Sequence, residues 1–330
     1  MSEMHLSSKV GHADIGREPI RAGFGRGLKK AGENNEQVVA LCADLTDSTK
    51  MSAFKEAFPE RFVEIGVAEQ NLVTVASGMA AMGKIPFTSS YAAFSPGRNW
   101  EQIRTTVCLN DQPVKVIGSH AGVSVGPDGA THQMLEDIAL MRVLPNMIVI
   151  APADSVEAEK ATLAIAANGK PSYLRLAREG TPVFTTDKTP FEIGKAYVLK
   201  HGEAVSLMAT GTMTYQAIVA AKLLAEKGIN AEVVHVPTIK PLDVDTLVES
   251  VKRTGRVVTV EEAQAVGGFG SAVAEALSEN LPCPIKRIGM QDRFGESGDP
   301  DQLLKHFGLD AKSIAGSVEH FVNNSYQYHR

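Results

Sequence analysis

Apolar runs rich in β-branched residues alternate along the chain with longer stretches of helical spacing. Val38–Cys42 is five consecutive apolar residues, the pattern of a strand buried on both faces. Arg61–Ile65, Ile85–Ser89, Val114–Gly118, Met147–Ala151 and Ser172–Leu176 read the same way. Helical spacing falls between them, at Glu69–Met82, Trp100–Leu109, His132–Leu144 and Val156–Ala167. Asp154-Ser155 is the N-cap signal of the last of these, and Gly169 its stop. From Arg178 to Gly194 the rhythm breaks: Gly180, Pro182 and Pro190 with polar spacing predict a linker or a surface crossing. The alternation then resumes, with strands at Ala204–Ala209, Ala231–Val236, Val257–Val260 and Ile285–Ile288, and helices at Tyr215–Lys227, Asp243–Lys252 and Ser271–Glu279. This order predicts an α/β fold of parallel-rich sheets flanked by helices, with one domain to about residue 185 and a smaller one from about 195.

Composition narrows the class. A chain of 330 residues is two domains at roughly 100–200 residues each. It carries 33 basic and 38 acidic side chains, a net charge of −5, which argues against nucleic acid as a partner. Cys42, Cys108 and Cys283 are too few for a disulfide framework and match no zinc spacing. No apolar run approaches the roughly 18 residues of a membrane span. Met1–Arg17 is polar and lacks the apolar core of a secretion signal. The expected address is the reducing cytoplasm, away from any membrane.

Candidate chemistry gathers where predicted strands end. Glu69, in Ile65-Gly66-Val67-Ala68-Glu69-Gln70-Asn71, sits at a strand–helix junction, where open parallel sheets bind ligands. A carboxylate flanked by Val67 and Leu72 is poorly solvated and suits proton relay. The same position also suits a glutamate that only complements a helix dipole. Ser119-His120 ends another strand. A glycine-rich loop follows to Asp128-Gly129, and Thr131-His132-Gln133 then opens a predicted helix with Glu136-Asp137 in its first turns. Two histidines and an aspartate around one loop suit proton transfer or the binding of an anionic oxygen. A zinc site fits the residue types but not any familiar spacing. Arg21, Arg175 and Arg178 are candidate anion clamps. Gly23-Phe24-Gly25-Arg26-Gly27 and Gly267-Gly268-Phe269-Gly270 lack the full dinucleotide fingerprint and read as turn or helix-start glycines.

Taken in order, three motifs resemble the transketolase family, which uses thiamine diphosphate. They are Ala43-Asp44-Leu45-Thr46-Asp47-Ser48, Gly66-Val67-Ala68-Glu69-Gln70-Asn71 and Asp128-Gly129-Ala130-Thr131-His132-Gln133, the last followed by Leu144-Pro145-Asn146-Met147. The resemblance covers nearly the whole chain but only the last two of that family's three domains. It implies a pyrimidine-binding domain over residues 1–190 and a transketolase C-terminal domain over 191–330. The missing domain carries a Gly-Asp-Gly motif for magnesium and diphosphate, whereas here Gly298-Asp299 is followed by Pro300. The implied protein is the C-terminal subunit of a split transketolase, a transferase of carbohydrate metabolism. Its partner is an N-terminal subunit with the Mg2+ ligands, in an α2β2 heterotetramer acting on sugar phosphates. By the same resemblance Glu69 matches the glutamate that bonds N1′ of the cofactor's pyrimidine. Phe94 and Tyr91 match aromatic positions at that ring, a third such position being Gly97 here, and Asp44 matches an acid near the thiazolium. Arg21, Ser48, His120 and Arg178 match contacts to a sugar's phosphate end, two arginines and a histidine suiting a dianion. Asp128 matches a contact to a substrate hydroxyl, and His132 an active-site histidine that assists proton transfer. Ala121-Gly122 after His120 and Pro127 before Asp128 depart from the usual pattern and leave the sugar open. Two related enzymes stand as alternatives: the β subunit of a 2-oxoacid dehydrogenase and deoxyxylulose-phosphate synthase. The region beyond about 195 offers no chemistry and is expected to support subunit contacts, with His235, His306 and His320 as packing or surface residues.

Overall fold

The structure, a computed structural model, describes residues 4–324. Two sheets hold the chain. A seven-stranded sheet runs in the order Thr238–Lys240, Ile148–Ile150, Ser172–Arg175, Lys115–Ser119, Ile85–Tyr91, Val38–Cys42, Phe62–Glu64. All neighbours are parallel except the edge strand Thr238–Lys240. A five-stranded sheet runs Ile285–Met290, Val257–Gln264, Val205–Ala209, Ala231–His235, Tyr197–Lys200, the last antiparallel. The edge strand Thr238–Lys240 comes from the second half of the sequence, so the halves share a sheet as well as a core. One apolar cluster joins Leu41, Leu72 and Val116 to Met208, Val234 and Phe269. A buried pair reinforces the seam: His235 Nε2 lies 2.8 Å from Glu157 Oε2, and His235 Nδ1 lies 2.8 Å from the Thr214 hydroxyl. His235 is therefore more than packing.

The predicted strands are present with ends shifted by a residue or two, except that Val257–Val260 extends to Gln264 and Arg61–Ile65 shrinks to Phe62–Glu64. Three departures bear on the site. The helix expected to begin at His132 begins at Asp137. Before it, Gly122, Gly126 and Gly129 all take positive φ, and the Gln133 amide donates to the carbonyls of Val123 and Glu296, so residues 122–136 are held as a folded loop. The segment expected at Trp100–Leu109 starts as a short helix and widens to a π-helix over Ile103–Cys108. The expected linker is pinned down: Gly180–Pro182 pairs antiparallel with Arg17–Pro19, and Asp154 Oδ2 accepts from the amides of Phe184 and Thr185.

A whole helix, Ile20–Asn34, runs through Gly23, Gly25 and Gly27, which the sequence reads as turn or helix-start residues. Gly23 and Gly27 sit on its buried face against the helix Ser155–Ala167. A Cβ on Gly23 would lie 1.8 Å from the Ser155 carbonyl oxygen, and one on Gly27 2.7 Å from Thr162 Cβ. These glycines permit close approach between helices. By contrast Gly268 does cap a helix, Phe269–Asn280, whose first amides, of Phe269 and Gly270, donate to buried Glu261 at 2.7 Å. Asp154 caps Ser155–Ala167 as expected. The short strands Tyr197–Lys200 and Thr238–Lys240 and the helices Pro300–His306 and Ala311–Asn324 left no clear periodic signal in the sequence.

Candidate active site

Several side chains of interest follow the carboxyl ends of parallel strands, Asp44 after Val38–Cys42, Glu69 after Phe62–Glu64, His120 after Lys115–Ser119 and Arg178 after Ser172–Arg175, the end at which open parallel sheets bind ligands. Glu69 is the first residue of the helix Glu69–Ala81 and is only 4% exposed. Its Oε2 lies 3.2 Å from Arg98 Nη1, and its backbone carbonyl accepts from Asn99 Nδ2 at 2.8 Å. Both partners come from the turn after the strand Ile85–Tyr91. The carboxylate faces a cleft of about 530 Å³ lined by Val67, Ala68, Gln70, Asn71 and Arg98. Its setting combines burial with the dipole of its own helix, so the two readings of the sequence describe one geometry.

An aromatic floor leads away from Glu69. Arg98 covers the Phe94 ring at 4.2 Å. Phe94 stacks on Tyr91 with centroids 6.0 Å apart, and Tyr91 stacks on the His120 ring at 3.8 Å. His132 meets Phe94 edge-on at 5.4 Å, and its Nδ1 lies 2.9 Å from the Thr131 hydroxyl. No aromatic fits at Gly97, because a Cβ there would lie 2.0 Å from the Ala93 carbonyl oxygen.

At the far end of that floor lies a basic group. Arg21 Nε donates to the Arg178 carbonyl at 3.1 Å, and Arg21 Nη1 donates to the carbonyl of Ser48. Arg178 Nη1 donates to the Val125 carbonyl at 2.7 Å and lies 3.4 Å from Asp128 Oδ1. Burial lowers the proton affinity of Arg21, and neighbouring Arg178 adds to the effect. His120 has positive φ and lies 2.8 Å from the Ser119 hydroxyl. Burial, then Arg21, Arg178 and His132, push its pKa down to about 3. The folded chain therefore holds this imidazole in its neutral form at neutral pH. Below about 6.5 the unfolded chain takes up a proton that the folded chain refuses, so this group makes stability fall as pH drops from about 6.5 towards 3. His120→Gln should remove about 1–2 kcal/mol from the loss of stability between pH 6.5 and 5, checked by urea unfolding at both pH values.

Two candidates fall outside this group. Arg175 is 7% exposed, its Nε bound to Asp137 Oδ2 at 2.9 Å, so it is not a free clamp. Asp44 is exposed on the turn after Val38–Cys42. Its amide, at positive φ, donates to Glu64 Oε1 at 2.7 Å, and the same oxygen accepts from the Gly66 amide at 3.0 Å. Glu64 thus clasps the Asp44 turn to the turn before Glu69, a role that only its strand-end position hinted at. Among the described residues no three His, Cys, Asp or Glu side chains are grouped to hold a metal. Among them also, no helix is long and apolar enough to cross a membrane.

Residues 19–183 match the family described as transketolase, pyrimidine binding domain, and residues 194–314 match transketolase, C-terminal domain. The chain belongs to the transketolase family. It is 45% identical over 302 residues to a putative transketolase C-terminal section of Methanocaldococcus jannaschii, covering 91% of this chain and 95% of that one. It is 42% identical over 287 residues to the 6-deoxy-6-sulfo-D-fructose transketolase subunit SqwH of Clostridium sp. (strain MSTE9), covering 87% and 89%. A solved split gene transketolase, described as an inactive beta4 tetramer, superposes with a TM-score of 0.87 at 45% identity, covering 92% of this chain and 98% of that one. Over nearly its whole length the chain is thus similar to the C-terminal sections of split transketolases, and as a member of this family it falls among the transferases. Transketolases use thiamine diphosphate, and a buried carboxylate beside an open cleft and two stacked aromatic rings fits an aminopyrimidine. The donor set here therefore suits the cofactor's pyrimidine end.

Proposed function

We propose that this chain completes a thiamine-diphosphate-dependent transketolase with a separate N-terminal subunit, in an α2β2 heterotetramer, and moves a two-carbon ketol unit from a ketose phosphate to an aldose acceptor. The observation that carries this reading is the continuous path from buried Glu69 over Phe94 and Tyr91 to the Arg21–Arg178 pair. When bound, the cofactor supplies the carbon nucleophile that carries the ketol unit. Everything else follows from this chain's side chains. Glu69 would hold and release a proton at the pyrimidine N1′. Phe94 and Tyr91 would present their faces to the ring and exclude water. Arg21 and Arg178 would grip a phosphate by charge-assisted hydrogen bonds, with Ser48 at the same end. Neutral His120 would donate or accept a single hydrogen bond beside them. Asp128 would orient a sugar hydroxyl, His132 would assist proton transfer, and Asp44 would serve as the acid near the thiazolium. Magnesium and the diphosphate fall to the partner. The inactive tetramer named for a solved relative supports a need for that partner.

Relatives that match this chain nearly end to end are named as transketolase sections, which favours ketol transfer over the dehydrogenase and synthase alternatives. One of them is named for a sulfonated hexose. The basic pair would accept sulfonate as well as phosphate, so the donor is an anionic ketose of either kind. The test is to reconstitute the chain with its N-terminal partner, thiamine diphosphate and Mg2+, and to assay ketol transfer from xylulose 5-phosphate and from 6-deoxy-6-sulfofructose. Transfer from at least one is expected. No transfer from any anionic ketose would refute the reading.

A further inference from the structure

The second half of the chain reaches into the site through Glu262. This residue lies in the strand Val257–Gln264 and is only 2% exposed. Its Oε1 accepts the Ser124 amide at 2.6 Å, and its Oε2 accepts the Thr212 hydroxyl at 3.0 Å. Gly122 passes directly over it: a Cβ at that position would lie 2.4 Å from Oε1. The backbone carbonyl of Glu262 accepts Arg175 Nη2 at 2.7 Å, and Arg175 Nε binds Asp137, where the loop turns into its helix. One residue therefore fastens both ends of the loop 122–136. Between the fastened ends lie the Val125 carbonyl and the Asp128 carboxylate, the two groups that hold Arg178. A buried carboxylate is costly, and an apolar side chain would fill the space without that cost. What the carboxylate adds is two acceptors at fixed positions.

We propose that Glu262 is a positioning residue for the anionic end of the sugar. It sets the height of the loop 122–128 and, through Val125 and Asp128, the place of the Arg178 guanidinium. The second domain thereby takes part in substrate recognition. This rests on the reading of Arg178 and Asp128 as sugar contacts.

The test compares Glu262→Ala and Glu262→Gln in the reconstituted complex. Glu262→Ala should raise KM for the anionic ketose about tenfold or more, since small misplacements of a positioning clamp carry large kinetic effects. Its kcat should change less than about threefold, and thiamine diphosphate affinity, read by fluorescence quenching, should stay unchanged. Glu262→Gln keeps an acceptor for the Ser124 amide and should recover most of the KM. Hydrogen exchange on the isolated chain gives a readout without catalysis: amides 123–125 should lose protection in Glu262→Ala and keep it in Glu262→Gln. A folded Glu262→Ala with wild-type KM overturns the proposal, as does a loss of cofactor affinity equal to the loss in KM, the mark of a general loosening. Should Glu262→Ala not fold, Glu262→Gln decides: lost protection at 123–125 with an unchanged KM overturns it. A wild-type complex that transfers no ketol unit refutes the proposed reaction instead, and the exchange result still reports on the grip.

Discussion

Glu69→Gln should lower ketol transfer by about a thousandfold while shifting the chain's unfolding free energy by no more than about 1 kcal/mol. Glutamine keeps the shape of the side chain and can still accept from Arg98, whose guanidinium is 53% exposed and contributes little to folding. It cannot give up or take on a proton at neutral pH. Activity and stability should therefore separate cleanly. Steady-state assays of the reconstituted complex beside urea unfolding of the variant check both halves. Near-normal turnover would remove Glu69 from the mechanism, and a collapse of stability would return it to a purely structural role.

Arg178→Ala is the second large effect. A charge-assisted hydrogen bond is worth about 1.5–3 kcal/mol, so KM for a phosphorylated ketose should rise about 10- to 100-fold. An uncharged ketose, turned over poorly by both proteins, should show no comparable change. Arg178→Lys keeps the charge but loses the planar guanidinium that can meet two oxygens of an anion at once, and should fall between the two. Equal losses for charged and uncharged donors would show that Arg178 supports the loop rather than the anion.

Much of the architecture was written in local patterns. The strand Val38–Cys42 is buried along its length, and an all-apolar run has no other stable place. Asp154 signalled its helix because a capping side chain acts within three residues of itself. The helix Ile20–Asn34 was hidden for the opposite reason. Its glycines answer to another helix more than 100 residues away, and a local reading sees only their freedom to turn. The loop before Asp137 misled in the same way: His132 and Gln133 have helical spacing, but Gln133 spends its amide on Val123 and Glu296. Among the site residues, Glu69 and His132 stood out through motifs and Arg178 as a candidate anion clamp; the structure links them by contacts, His132 meeting Phe94 and Arg178 reaching Asp128. The neutrality of His120 depends on its burial among Arg21, Arg178 and His132, which is invisible until the chain is folded. Glu262 carried no motif at all, and its importance lies wholly in what it touches.

The edge strand Thr238–Lys240 ties the two halves of this chain into one ladder. Its hydrogen bonds to Ile148–Ile150 mean that a break near residue 190 would leave the pyrimidine-side sheet with a bare, apolar border and the remaining piece with a strand that has nowhere to lie. Polypeptides separate safely only at seams that no ladder crosses. Cut between its two sheets, this chain would yield two fragments, each prone to stick to whatever edge it meets first.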